Sequence, residues 1–186
     1  MKNQPTMSNP VFGDSKTLRF EVFPKDPESF SMRRVDIHAA GLDLTASDNS
    51  VYVPSFLFQL DRTLQSFSKV IRFQPRPGIF GERAPEEIHR LFADAEEEVP
   101  GGDEVSDLWE FLQFGGTVSH VLGFLIPTQG RLYLTVNMLR PGEKKNAEVR
   151  VVEVSIKDLI EAMSATLEVV AAGYEGDKSS LKWSAQ

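Results

Sequence analysis

Seven carboxylates crowd into fifteen consecutive positions of the chain, and neither Lys nor Arg lies among them. They are Asp94, Glu96, Glu97, Glu98, Asp103, Glu104 and Asp107. Hard cations bind several oxygens that converge on one point. This stretch lacks the spacing of a calcium loop, and successive glutamates on a helix point in different directions. Because charge runs are usually solvated, the pattern favours an exposed or partner-facing surface over a metal site.

Trp109 lies two residues after the last of these carboxylates, and Asp107 and Glu110 flank it. An aromatic side chain inside an acidic rim is typical of a binding hot spot for a basic protein. The same spacing also fits a core tryptophan whose neighbours face solvent. Both interpretations of Trp109 stay open at this point.

Other residues with reactive side chains lack the spacing of a catalytic or metal site. Glu86 and His89 form an E-x-x-H, which is half of a dinuclear metal site, but the chain holds no second copy. Ser119 and His120 are neighbours on a predicted strand, so they would point to opposite faces. The chain has no cysteine, which excludes disulfides and thiol catalysis. We therefore predict no catalytic residue, no metal site, no cofactor and no enzymatic activity.

The net charge of −7 and the pI near 5.0 restrict the choice of partner. Nucleic acid and anionic membranes need a basic footprint, so neither is expected to bind. No apolar run approaches the roughly 20 residues of a membrane span. These features, with the absence of cysteine, predict a cytoplasmic protein whose partner is a basic protein.

Hydrophobic periodicity predicts the elements that would position these residues. Hydrophobic residues alternate with polar ones over Thr17–Phe23, and a turn at Gly130 separates two apolar runs, so both regions indicate strands. Hydrophobic residues at helical spacing after Pro54 and after Ser155 indicate helices. Residues 72–85 read as a loop, and 105–114 as either a helical turn or a strand. The prediction is an α+β fold, an antiparallel β-sheet covered on one face by two or three helices. It forms a single domain over residues 11–175, with tails at 1–10 and 176–186.

Three segments resemble a family of bacterial immunity proteins, the inhibitors paired with polymorphic and contact-dependent toxins. They are "VFGDSKTLRFEVF", "FSMRRVDIHAAGLDLTASDNSVYVPSFLFQL", and the strand "EVRVVEVSI" that leads into an amphipathic helix. The resemblance covers the N-terminal and C-terminal segments and implies a non-catalytic, cytosolic protein that binds and neutralises a cognate toxin. Many such toxins are nucleases with basic clefts, which the acidic stretch and Trp109 would then meet.

Two other functions remain open from the sequence. One is an accessory or scaffold domain without a toxin partner, and the other is a metal-dependent enzyme with a carboxylate site. The apolar strand "RLYLTVNML" could also pair with a second copy of the chain if it lies at a sheet edge.

Overall fold

The computed structural model describes residues 8–29, 31–93, 100–139 and 148–182, and within these ranges it has an α+β fold with two antiparallel sheets. The strands are β1 (Val11–Gly13), β2 (Leu18–Val22), β3 (Met32–Ala39), β4 (Leu42–Asp43), β5 (Ser50–Tyr52), β6 (Glu110–Phe111), β7 (Val121–Thr128), β8 (Arg131–Met138) and β9 (Arg150–Glu153). The α-helices are α1 (Val53–Phe67), α2 (Pro77–Phe80), α3 (Pro85–Ala93), α4 (Gly102–Trp109) and α5 (Ile156–Ala172). None of these helices is long and apolar enough to cross a membrane.

The first sheet has the order β1-β2-β3-β4, and β5 pairs with the other end of β3. Leu18, Phe20 and Val22 of β2 are buried, which confirms the strand predicted from period two. Ala40 and Gly41 both have left-handed φ, as a two-residue type I′ hairpin turn requires.

The second sheet has the order β6-β7-β8-β9. Its central hairpin turns through Gln129 and Gly130, again with positive φ at both residues, so the predicted hairpin is confirmed. The segment "RLYLTVNML" contains β8, which pairs with β7 on one side and β9 on the other. It is therefore not an edge strand, so the condition under which this strand could pair with a second copy of the chain is not met.

A first hydrophobic cluster joins the two sheets. It takes Leu60 and Leu64 from α1, Met163 and Leu167 from α5, and Phe20 from β2, all of which are buried. The inward side chains of β7 and β8 belong to the same cluster. Each such side chain contributes roughly 1.5–3 kcal/mol when it leaves water, so this cluster is the main source of stability.

A second hydrophobic cluster lies on the opposite face of β7. Phe124 and Ile126 of β7 pack there against four side chains from α2, α3 and α4. These are Phe80, Ile88, Val105 and Trp109. The predicted α+β fold with antiparallel strands is confirmed, but its arrangement differs from the expected single sheet: there are two sheets, and the second has apolar clusters on both faces. The helices that form this extra layer are short, and α2 lies in the segment expected to be a loop.

The helices predicted after Pro54 and after Ser155 are found as α1 and α5. Pro54 lies in the first turn of α1, and Ser155 is the N-cap residue of α5, as expected. The Ser155 side chain makes no capping hydrogen bond. The segment that could have been a helical turn or a strand contains both, because α4 ends at Trp109 and β6 begins at Glu110.

Candidate functional site

The candidate site is built around α4, which carries the second half of the acidic stretch. Asp94, Glu96, Glu97 and Glu98 lie outside the described residues. Gly101 is the N-cap residue of this helix and has a left-handed φ of 75°, a conformation that glycine adopts without strain. Asp103 and Glu104 follow in the first turn, where carboxylates interact favourably with the positive end of the helix dipole.

The three described carboxylates share one side of α4. Asp103, Glu104 and Asp107 are exposed, while Val105 and Trp109 on the opposite side are buried in the second cluster. Within the described part of the chain, no ion pair joins any of the three to a Lys, Arg or His. We name these three residues the acidic face.

Trp109 is a core residue. Its side chain has 0% exposure, and its ring centroid lies 5.5 Å from that of Phe80 and 6.0 Å from that of Phe92. Four residues separate it from Val105, so helical geometry places both on the same buried side. The interpretation of Trp109 as an exposed apolar anchor for a partner is therefore corrected, and the alternative of a core tryptophan is the one observed.

A polar cleft of about 560 Å³ lies beside the end of α4. One wall is the polar side of the second half of α1, including Arg62 and Ser66. The other wall includes Asp107, Glu110 and Gln113. The cleft thus has cationic and anionic side chains facing one another.

Arg72 connects the two walls of the polar cleft. Its side chain is 6% exposed, and its Nη1 and Nη2 atoms donate to the carbonyl oxygens of Leu108 at 2.7 Å and Glu110 at 2.6 Å. Its guanidinium carbon lies 5.4 Å from the ring centroid of Phe67 at the end of α1. Burial lowers the pKa of Arg72 to about 10, so the group stays charged at neutral pH. Arg72 therefore holds the last turn of α4 against the first cluster.

Glu110 is the carboxylate of the polar cleft with a perturbed pKa. Burial raises its pKa, and the negative charge of Asp107 raises it further. A hydrogen bond from Gln113 at 2.8 Å and the charges of Arg72 and Arg62 act in the opposite direction. A carboxylate in this setting can bind a cationic group or exchange a proton with a ligand in the cleft.

The E-x-x-H of α3 does not form half of a metal site. His89 is buried, with Nδ1 lying 2.8 Å from the Thr135 hydroxyl of β8, whereas Glu86 pairs with Arg90 near the surface. Burial, with a smaller effect of Arg90, lowers the pKa of His89 to about 4, so the ring is neutral at pH 7. Among the described residues, no three His, Asp or Glu side chains come together as a metal site would require.

Sequence reasoning missed Arg72 and the His89–Thr135 contact. Arg72 stands out only as one of several arginines around residues 72–83, and its acceptors are backbone carbonyls, which leave no sequence signal. His89 and Thr135 are 46 residues apart, so no local motif connects them.

Comparison with known proteins gives no match: no family model, no curated protein and no solved structure is similar to this chain. The resemblance to immunity proteins therefore stays a prediction.

Proposed function

We propose that the protein binds and neutralises a basic protein, as an immunity protein does with its cognate toxin. The observation that carries the proposal is the acidic face, three exposed carboxylates on one side of a helix without a described cation to neutralise them. The resemblance of the N-terminal and C-terminal segments to immunity proteins supports the same function.

The way α4 is held supports a role in recognition. Val105 and Trp109 fix the buried side of the helix, and Arg72 bonds to the carbonyl oxygens at its end. A surface that is ordered before binding loses little conformational entropy on association. Negative potential on such a surface attracts a cationic partner and increases the association rate.

The partner that fits this charge is a toxin with Lys and Arg around its active site. A nuclease is a natural candidate, because its cleft binds phosphate groups and an acidic protein can take their place. In this proposal the protein is cytoplasmic, contains no catalytic residue and acts by covering the toxin. Asp94, Glu96, Glu97 and Glu98 would extend the acidic face along the sequence.

The proposal is tested by growth rescue. The toxin-like protein encoded beside this gene is expressed in a bacterial host with and without the present chain. We expect growth arrest by the toxin alone and rescue by the wild-type chain. The variant D103N/E104Q/D107N should rescue less well at an equal protein level.

A matched control comes from α5, where Asp158, Glu161 and Glu168 are also exposed. The variant D158N/E161Q/E168Q changes the net charge by the same amount and should rescue like wild type. Persistent growth arrest in the presence of folded wild-type chain would contradict the proposed function. If the two triple variants rescue growth equally poorly, the toxin-neutralising function would stand, but the acidic face would not be the surface responsible for it.

A further inference from the structure

Charged side chains of opposite sign face one another across the polar cleft without pairing. Arg62 and Lys69 line the α1 side, while Asp107 and Glu110 line the α4 side. Within the described part of the chain, no salt bridge joins the first pair to the second. Arg62 is nevertheless near enough for its charge to oppose the rise in the pKa of Glu110. The two walls therefore interact electrostatically but leave a gap between their charged groups.

Most of the other polar groups that line the cleft already have partners. The hydroxyls of Thr63, Ser66 and Ser68 donate to backbone carbonyl oxygens three or four residues earlier, at 2.8, 2.6 and 2.7 Å. Arg72 also lines the cleft, but its two terminal nitrogens donate to backbone carbonyl oxygens. The four charged side chains on the two walls are therefore the strongest groups left to bind a ligand.

The charge pattern of the polar cleft restricts its ligand. The volume of about 560 Å³ lies within the usual range for ligand sites. With Arg72 bonded to backbone carbonyls, each wall has two charges, positive on one side and negative on the other. A ligand with a single charge would be attracted by one wall and repelled by the other. A ligand with separate carboxylate and ammonium groups can pair with both walls.

We propose that the polar cleft binds a small zwitterion of the amino-acid or short-peptide class. Its carboxylate pairs with Arg62 and Lys69, and its ammonium group pairs with Asp107 and Glu110. The guanidinium fork of Arg62 matches the geometry of a carboxylate. The inference is independent of the proposed function, because it requires no partner protein, and of these four residues only Asp107 belongs to the acidic face.

A titration followed by ¹H–¹⁵N chemical shifts tests the inference on the whole chain. The probe is diglycine, a zwitterion, compared with acetyl-diglycine, which keeps only the negative charge, and with diglycine amide, which keeps only the positive charge. We expect saturable shifts with diglycine at residues 62–69 and 107–113. Each singly charged analogue should bind about tenfold more weakly or worse, because it loses one charge-assisted contact. Low ionic strength favours detection, since the site is open to solvent.

Variants assign each end of the ligand to its wall. R62Q/K69Q removes the positive wall, so diglycine should bind about tenfold more weakly and no better than its amide. Asp107→Asn removes a negative charge from the other wall and should weaken binding of both diglycine and its amide. All three substituted side chains are exposed, so the variants should remain folded.

Matched controls make the same changes in charge at exposed positions outside the polar cleft. K16Q/K157Q and Asp158→Asn should bind diglycine like wild type. Absence of any saturable shift with diglycine at millimolar concentration would overturn the inference. Equal affinity for diglycine and both singly charged analogues would also overturn it, and so would equal weakening by the control variants, because contact with both walls would then not explain binding.

Discussion

The two hydrophobic clusters differ in where their unpaired buried polar atoms lie: within the second cluster, but at the margin of the first. Around the first cluster, the Thr45 hydroxyl accepts from the Ile37 N–H at 2.9 Å, and the Thr166 hydroxyl donates to the Ala162 carbonyl at 2.7 Å. In the second cluster, Trp109 Nε1 and the adjacent His89 Nε2 are buried and have no partner among the described residues, whereas Thr117 Oγ1 and Arg72 Nε are the corresponding atoms at the margin of the first cluster.

This difference suggests that the two clusters have different roles. A core that only has to be stable leaves few polar groups unpaired, because each one reduces stability. Unpaired buried groups, and features that sequence rules fail to predict, tend to occur where a protein binds something. The second cluster has such an atom among its own side chains and includes the unpredicted helix α2, and its helix α4 carries the acidic face.

The largest expected effect comes from truncating one core residue in each cluster. Leu60→Ala in the first cluster should lower the free energy of unfolding by about 3–5 kcal/mol, because the surrounding residues are tightly packed. Ile88→Ala should lower it by about 2–3 kcal/mol, because Ile88 borders an open cleft beside Trp109 and its truncation leaves a less enclosed cavity. Urea unfolding measures both values, and a larger loss for Ile88→Ala would reverse the comparison.

Arg72 lies between the two regions and should report on their coupling. Arg72→Met keeps most of the side-chain volume but removes two hydrogen bonds from a charged donor, so stability should fall by about 2–4 kcal/mol. Hydrogen exchange measures where the loss occurs. We expect faster exchange in α4 and β6 but not in α5, whereas uniform acceleration would mean that the two regions unfold together.

His89 should make the free energy of unfolding depend on pH below neutrality. Its pKa is about 4 in the folded chain and about 6.5 when unfolded, so the unfolded chain binds the proton first as the pH falls. Stability is therefore complete above about pH 6.5 and is lost as the pH falls towards 4, by about 2 kcal/mol at pH 5.

The control for this effect is His89→Gln, which retains a hydrogen-bonding side chain opposite Thr135 but does not titrate. Urea unfolding at pH 7 and pH 5 should show a pH dependence about 2 kcal/mol smaller in the variant than in wild type. Identical pH dependence in the two proteins would contradict a buried, neutral His89.

The smallest effect is expected from the acidic face itself. The variant D103N/E104Q/D107N should lower the free energy of unfolding by about 1 kcal/mol or less, because Asp103 and Glu104 lose a favourable interaction with the helix dipole and exposed charges without partners contribute little else. The α5 variant D158N/E161Q/E168Q should behave alike. A thermal unfolding scan checks both, and marked destabilisation by the α4 variant alone would assign its carboxylates a structural role.

How much the sequence could predict also differs between the two regions. The strand β2, the helices α1 and α5 and the β7–β8 hairpin have clear periods of 2 or 3.6 residues, so their existence was predictable. The helix α2 has four residues, which is too few for a period to be detected. Trp109 was ambiguous because its acidic neighbours are equally compatible with exposure and with burial.

One signal for the second layer was present in the sequence. The run "HVLGFLIP" is apolar without alternation, which is typical of a strand buried on both faces. Its cover comes from α2, α3 and α4, which lie earlier in the chain, and single-sequence patterns do not identify such pairings. The His89–Thr135 contact was unpredictable for the same reason.

The central claim is that the acidic face attracts a basic protein, and the association rate with the cognate toxin tests it most directly. Stopped-flow measurements over a series of salt concentrations would compare wild type with the two triple variants. The account predicts a rate that falls with salt in wild type and in D158N/E161Q/E168Q, but that is slower and less dependent on salt in D103N/E104Q/D107N. Identical rates and salt dependence for all three proteins would contradict it.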